Sequence, residues 1–127
     1  MNKHKGANAE RELYHMLVGN NYAAVRAAGS GMMENTSCDL IAGKSDKKFC
    51  IEVKSSKKPY KYISKKQIED FLIFSQIIGL EPVLAIRFNR EGWFFIKPKN
   101  LEDSGKNFCI SLDLARKKGK RFSQMFD

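Results

Sequence analysis

In two segments of the chain, apolar residues recur with the spacing of an α-helix. The first predicted helix runs from about position 8 to 18, and its apolar positions share one face: Ala9, Leu13, Met16 and Leu17. The segment Ser64-Lys65-Lys66-Gln67 is typical of a capping box and introduces the second helix. Gly79 and Pro82 are expected to end it.

Short runs of strand-forming residues occupy most of the remaining chain. They cover residues 22–28, 38–43, 48–54, 83–88 and 93–96, and the segment Ser55 to Ile63 is expected to be a basic loop. The predicted order is αβββαββ. This order favours a single α/β domain over residues 1–127, with a central mixed sheet of about five strands flanked by helices. Residues from about 111 to 127 are predicted to form a flexible basic tail or a short helix.

Two acidic residues interrupt the apolar runs of the first predicted hairpin. The polar segment 44–47 separates the runs, so Gly43 is expected to oppose Lys48 and Asp39 to oppose Glu52. Strand alternation then places Asp39, Glu52 and Lys54 on one face. The other face is predicted to be wholly apolar: Cys38, Leu40, Ala42, Phe49, Ile51 and Val53.

Directly opposed carboxylates repel unless a cation lies between them. Mg²⁺ binds oxygen ligands and often combines one or two carboxylates with phosphate and water. We therefore predict that Asp39 and Glu52 hold Mg²⁺, for which Mn²⁺ can substitute, with Glu10 as a third carboxylate and Lys54 beside the metal. The alternative is a structural network of ion pairs at a sheet edge.

Charge points to a polyanionic partner. The chain has 23 basic and 14 acidic residues, a net charge of +9, and six lysines between positions 54 and 66. The candidate DNA contacts are Lys57, Lys58 and Lys61, with a second basic zone formed by Lys3, Lys5, Arg11 and Arg26. Three cysteines without a CxxC pair argue against zinc and a disulfide framework. Neither a signal peptide nor a membrane segment is recognised, which predicts an intracellular, cytoplasmic protein.

Several ordered blocks resemble the archaeal Holliday junction resolvases. The resemblance covers about the first 95 residues and lies in Lys5-Gly6-Ala7-Asn8-Ala9-Glu10-Arg11-Glu12-Leu13, Ala24-Val25-Arg26-Ala27-Ala28-Gly29-Ser30, Asp39-Leu40-Ile41-Ala42-Gly43, Ile51-Glu52-Val53-Lys54, Pro82-Val83-Leu84-Ala85-Ile86-Arg87 and Gly92-Trp93. Two departures are Cys38, where the wider nuclease superfamily often has Pro, and a longer loop from Gly31 to Ser37.

The resemblance implies a restriction-endonuclease-like fold and a homodimer that cuts four-way DNA junctions with Mg²⁺ as its cofactor. It assigns metal binding to Glu10, Asp39 and Glu52, and transition-state stabilisation or orientation of the water to Lys54. It places Ser30 on a mobile catalytic loop, and it gives backbone contacts to Arg11 and Arg26.

Three rival functions remain open at the level of the sequence. One is a nuclease of the same superfamily that acts on flaps, mismatched duplex or foreign DNA. The second is a non-enzymatic protein that binds junctions or other DNA and keeps a relict site. The third, for which no RNA-binding signature is visible, is a generic RNA-binding protein. No small-molecule cofactor beyond the metal and no membrane partner is expected.

Overall fold

Helices and strands alternate along the part of the chain that the computed structural model describes, residues 3–27 and 38–127. The helices are α1 Lys3–Gly19, α2 Lys65–Ile78, α3 Leu112–Lys118 and α4 Phe122–Met125. The strands are β1 Ala23–Arg26, β2 Leu40–Lys44, β3 Lys47–Ser56, β4 Tyr60–Ser64, β5 Glu81–Phe88, β6 Gly92–Ile96, β7 Glu102–Asp103 and β8 Asn107–Ser111. Within these ranges, no helix combines the length and the apolar character that crossing a membrane demands.

Five strands form the central sheet, in the order β1-β2-β3-β5-β6. All neighbours are antiparallel except β3 and β5, which run parallel because β4 and α2 connect them. The prediction of a mixed sheet of about five strands is therefore confirmed. A smaller sheet, β4-β8-β7, packs beside it and was not predicted.

Both faces of the central sheet are covered, because alternate residues of β5 enter different hydrophobic clusters. Val83 and Ala85 pack with α1 and the chain's C-terminal end, whereas Leu84 and Ile86 pack with Ile68 of α2 and with β8. A strand that is buried on both sides is read in sequence as one continuous apolar run. This arrangement fixes α1 and α2 on opposite faces of the strands that carry the acidic residues.

The predicted register of the first hairpin is confirmed for two of its pairs, Gly43 with Lys48 and Ile41 with Cys50. The regular ladder ends at Leu40, which pairs with Ile51. The N–H of Asp39 also donates to the carbonyl of Ile51, at 3.0 Å. Two consecutive residues thus oppose one, which is the arrangement of a β-bulge.

This irregularity makes two predictions wrong. Asp39 does not pair directly with Glu52, because its N–H bonds to the carbonyl of Ile51 and the ladder ends at Leu40. Cys38 was expected on the same face as Leu40, but it packs with Cys50 and Phe71 of α2 on the opposite side of the sheet. A bulge shifts the alternation of side chains by one position, so strict counting from β2 fails at the residues before Leu40.

Helix α2 begins and ends where the sequence predicts. The Ser64 hydroxyl accepts the N–H of Gln67 at 3.1 Å, which caps the amino-terminal turn. Gly79 ends the helix in the left-handed region, with φ of 77°, and its N–H donates to the Ser75 carbonyl at 2.9 Å.

The segment Ser55 to Ile63 is not a simple basic loop. Strand β3 continues to Ser56, and β4 starts at Tyr60 and pairs with β8 in the register Tyr60–Ser111. The lysine-rich stretch is thereby held by a partner strand about fifty residues away in the sequence. The prediction of a loop is wrong because that partner cannot be seen locally.

The C-terminal residues fold, so of the two expectations for this segment the short helix is confirmed and the flexible tail is wrong. They form α3 and α4, and Phe126 is completely buried. Its ring packs edge to face on Phe49, with centroids 5.3 Å apart, and on Phe95, at 4.9 Å. The side-chain amide of Asn20 donates to the Phe126 carbonyl. The end of the chain therefore forms part of the core.

Candidate active site

Glu52 and Lys54 of β3 form the centre of the site. The Glu52 carboxylate is 6% exposed, and Lys54 Nζ lies 3.6 Å from its Oε2. The same Oε2 accepts a hydrogen bond of 2.7 Å from Nε2 of Gln67 on α2. A charge removed from water is costly unless it is paired and hydrogen-bonded, and both partners are present here. The sequence predicted that Lys54 lies on the same face as Glu52, and it missed Gln67.

Asp39 is held against the same strand at the bulge before β2. The backbone N–H of Val53, between Glu52 and Lys54, donates to Oδ2 of Asp39 at 2.7 Å. The carbonyl of Asp39 accepts the N–H of Ala27 at 2.9 Å, which ties β1 to the same point. Asp39 is thereby fixed to the segment of β3 that carries the other two residues.

The pKa values of both carboxyl groups are raised. Burial, followed by the nearby charge of Asp39, raises the pKa of Glu52 to about 8. Burial also raises the pKa of Asp39, although the hydrogen bond from Val53 and the charge of Lys54 oppose the rise. Neighbouring acids with raised pKa values mark a place where a cation would be stabilised. The oxygen donors fit a hard divalent ion.

Glu10 reaches the site from α1 but is engaged by a basic residue. Its Oε1 lies 3.6 Å from Nη2 of Arg26, the last residue of β1. Burial and then the charge of Asp39 raise the pKa of Glu10, and Arg26 lowers it. Between residues 3–27 and 38–127, no group of three His, Cys, Asp or Glu side chains is close enough to hold a metal. Glu10 is therefore near Asp39 without completing a three-carboxylate cluster.

The remaining predicted residues lie on α1, between β3 and β4 and on β4, or outside the described part of the chain. Arg11 is exposed on α1 and donates to Oδ1 of Asn8 at 3.0 Å. Lys57 and Lys58 are exposed between β3 and β4, and Lys61 is half-buried on β4. Ser30 lies outside the described residues, as do the side chains of Lys3 and Lys5, so their predicted roles stay predictions.

The entire chain, residues 1–127, matches a family model described as archaeal Holliday junction resolvase (Hjc). The chain belongs to this family. The resemblance that the sequence motifs indicated is therefore confirmed, including for the C-terminal segment that carried little of it. Membership makes this resolvase a DNA endonuclease of the junction-resolving class, as the sequence predicts.

Individual relatives agree with the family assignment. The chain is 42% identical over 106 residues to the crossover junction endodeoxyribonuclease Hjc of Methanocaldococcus jannaschii, an alignment that covers 84% of this resolvase and 75% of the relative. It is 34% identical over 131 residues to the protein of the same name from Archaeoglobus fulgidus, which covers 98% and 96%.

The fold agrees as well. The solved structure of Archaeoglobus fulgidus Hjc, described as a Holliday junction resolvase from an archaeal hyperthermophile, matches this resolvase with a TM-score of 0.85. The two are 31% identical, and the match covers 91% of this chain and 94% of the other. The architecture is the restriction-endonuclease-like fold that the resemblance implied.

Proposed function

We propose that this resolvase cuts four-way DNA junctions by divalent-metal-dependent hydrolysis of phosphodiester bonds, with paired symmetric nicks. The proposal rests on one observation. Glu52 and Lys54 form an ion pair on a short segment of β3, and Asp39 is hydrogen-bonded to the backbone of that segment. Two carboxylates and a lysine amine are the groups that metal-dependent phosphodiester hydrolysis needs. The chain also belongs to a junction-resolving family. An enzyme with this substrate would act inside the cell.

Asp39 and Glu52 are the residues that would hold the metal, and Mg²⁺ with Mn²⁺ as a substitute fits two carboxylates. A bound divalent cation would polarise the scissile phosphate and lower the pKa of a water molecule. Lys54 would offset the negative charge that gathers on the phosphate oxygens in the transition state. Glu10 would assist from the edge of the site. Ser30, outside the described residues, would take part in catalysis as the resemblance to the resolvases implies.

Basic residues on two sides of the carboxylates would bind the DNA backbone. Nε of Arg26 is buried without a hydrogen-bond partner among the residues of the described ranges, although Nη2 pairs with Glu10. The Arg26 side chain as a whole is 29% exposed, so its guanidinium would still be open to a phosphate oxygen. Further contacts would come from Arg11, from Lys3 and Lys5, and from Lys57, Lys58 and Lys61.

We also infer a homodimer. One chain has one site, whereas a two-fold dimer presents two sites to a junction whose symmetry is approximately two-fold. Helix α2 leaves several apolar side chains exposed: Leu72, Ile73, Ile77 and Ile78. Among these, Ile77 is 81% exposed, while the nearby Phe74 and Leu80 pack against Cys38, Cys50 and Phe71.

The decisive experiment offers the protein an end-labelled four-way junction and a plain duplex with the same arm sequence. We expect paired nicks in the junction when Mg²⁺ or Mn²⁺ is present, and none with a chelator. Preferential cutting of flaps or mismatched duplex would replace this proposal with the rival nuclease. Junction binding without any nicking would favour the non-enzymatic alternative.

A further inference from the structure

Gln67 is the one side chain of α2 that reaches Glu52 in the described part of the chain. Its Nε2 donates to Oε2 of Glu52 at 2.7 Å, within the normal range for a strong amide–carboxylate hydrogen bond. The donor comes from a different element than the acceptor, since α2 lies on one face of the sheet and Glu52 is in β3. The contact therefore fixes the carboxylate relative to the helix.

Gln67 makes this contact in place of the local hydrogen bond that would complete the cap of α2. In a complete capping box, the N3 side chain returns to the backbone N–H of the cap residue while the cap hydroxyl accepts the N3 N–H. Here Ser64 accepts the N–H of Gln67, but the Gln67 side chain is directed to Glu52 instead. Only the half of the capping box made by the Ser64 hydroxyl forms. The Gln67 side chain, which would complete the box, hydrogen-bonds to Glu52.

Gln67 donates to Oε2, which is also the Glu52 oxygen nearest to Lys54 Nζ, at 3.6 Å. Oε1 makes no hydrogen bond with the described residues. We propose that Gln67 is a positioning residue: it fixes the Glu52 carboxylate through Oε2 so that Oε1 is presented to the divalent cation. This inference rests on the proposed function, because it assumes that Glu52 is a metal ligand.

An amide suits this position for a chemical reason. A Gln side chain carries two N–H donors and no charge, so it orients a carboxylate without competing with the cation for it. A Lys at the same place would neutralise Glu52 and weaken its attraction for metal. A Glu would add a further ligand instead of a donor. Gln67 thus supplies the orienting bond that metal-binding carboxylates commonly receive from a residue outside the ligand set.

The test replaces Gln67 with Met, which has a similar length, favours helices and has no donor. Mn²⁺ binding to the DNA-free protein is measured by calorimetry, and single-turnover cleavage of a junction is measured against Mg²⁺ concentration. We expect Mn²⁺ affinity and the cleavage rate to fall by about 10- to 100-fold, the usual effect of removing such a partner. Junction affinity in the presence of a chelator should stay unchanged.

The matched control is Gln76→Met, because Gln76 is an exposed Gln of the same helix. It should leave both measurements unchanged. Thermal unfolding checks the fold, and Gln67→Ala serves as a second truncation if the Met variant is unstable. Undiminished Mn²⁺ affinity in a folded Gln67 variant overturns this inference while the proposed function stands. If the wild-type protein itself binds no Mn²⁺, the metal assignment fails and the role of Gln67 fails with it.

Discussion

The backbone N–H of Val53 donates to Oδ2 of Asp39 at a distance of 2.7 Å. The regular β2–β3 ladder ends before this point, so the N–H of Val53 bonds to the Asp39 side chain and not to a backbone carbonyl of the neighbouring strand. Strand β3 therefore positions Asp39, the acid that precedes β2. Loss of charge at Asp39 can consequently be separated from loss of structure.

Asp39→Asn should abolish junction cleavage and keep the fold. The Asn carbonyl can still accept the N–H of Val53, but the neutral side chain is a poor ligand for a hard cation. Cleavage of a labelled junction in Mg²⁺ tests the activity, and anisotropy with a chelator tests binding. We expect full binding without nicks. Cleavage at the wild-type rate by the purified variant would show that Asp39 does not hold the metal.

The site could be predicted from the sequence as far as its residues follow local patterns. Alternation and a short turn place Glu52 and Lys54 together, and the register from Gly43 to Cys50 follows from them. The bulge at Asp39 could not be predicted, because it depends on hydrogen bonds to two residues of β3. The Ile51 carbonyl accepts the N–H of Asp39, and the Val53 N–H donates to its carboxylate. Gln67 was interpreted as a cap, since a sequence pattern does not reveal a target on another element.

The same distinction applies to the fold. Helix α2 carries its own start and stop signals, whereas β4 is lysine-rich and becomes a strand only because β8 pairs with it. The burial of Phe126 likewise depends on rings from distant positions, Tyr22, Phe49 and Phe95. The basic residues near the end of the chain favour the prediction of a tail. The packing of Phe126 against other aromatic rings stabilises a folded segment there.

Lys54→Met should lower the cleavage rate more than the affinity. Removing one group that stabilises charge in the transition state typically costs about 10²- to 10³-fold in kcat. Single-turnover rates and junction binding separate the two effects. Lys57→Met is the control, because Lys57 is exposed three residues further along and should affect binding alone. A Lys54 variant with weakened binding but a normal rate would assign Lys54 to the DNA backbone.

Replacing Lys57, Lys58 and Lys61 together with Gln should weaken junction binding and flatten its salt dependence. Each lost phosphate contact lowers the slope of log affinity against log salt by about 0.9. Anisotropy titrations at several salt concentrations provide the slope. A variant with the same loss of charge, at the exposed Lys97, Lys99 and Lys106, is the control. Equal slopes for the two variants would mean that net charge, not this surface, determines affinity.

The metal-free protein should lose stability as pH rises towards about 8. Burial and the charge of Asp39 raise the pKa of Glu52 to about 8, so the folded state retains a proton that the unfolded chain releases near pH ~4.3. Where the folded state binds more protons, the free energy of unfolding falls with increasing pH, by at most about 1.4 kcal/mol per unit for one group.

Urea unfolding of chelator-treated protein at pH 5 and pH 8 measures this effect. Glu52→Gln should reduce the decrease in stability between the two pH values, because the neutral side chain has no proton to release. Glu69→Gln, at an exposed position of α2, controls for the loss of one acid. A pH dependence that is the same in wild type and Glu52→Gln would contradict the raised pKa.

Ile77→Asp should dissociate the inferred dimer without unfolding the chain. Ile77 is 81% exposed on α2, so a charge there is solvated in the monomer but would be buried without a partner in an apolar interface. Sedimentation should shift towards the 14.5 kDa chain, and paired nicks should become single nicks. Gln76→Asp adds the same charge at the preceding, exposed position. If both variants sediment as the wild type does, the dimer uses another surface; a monomeric wild type would exclude a stable dimer altogether.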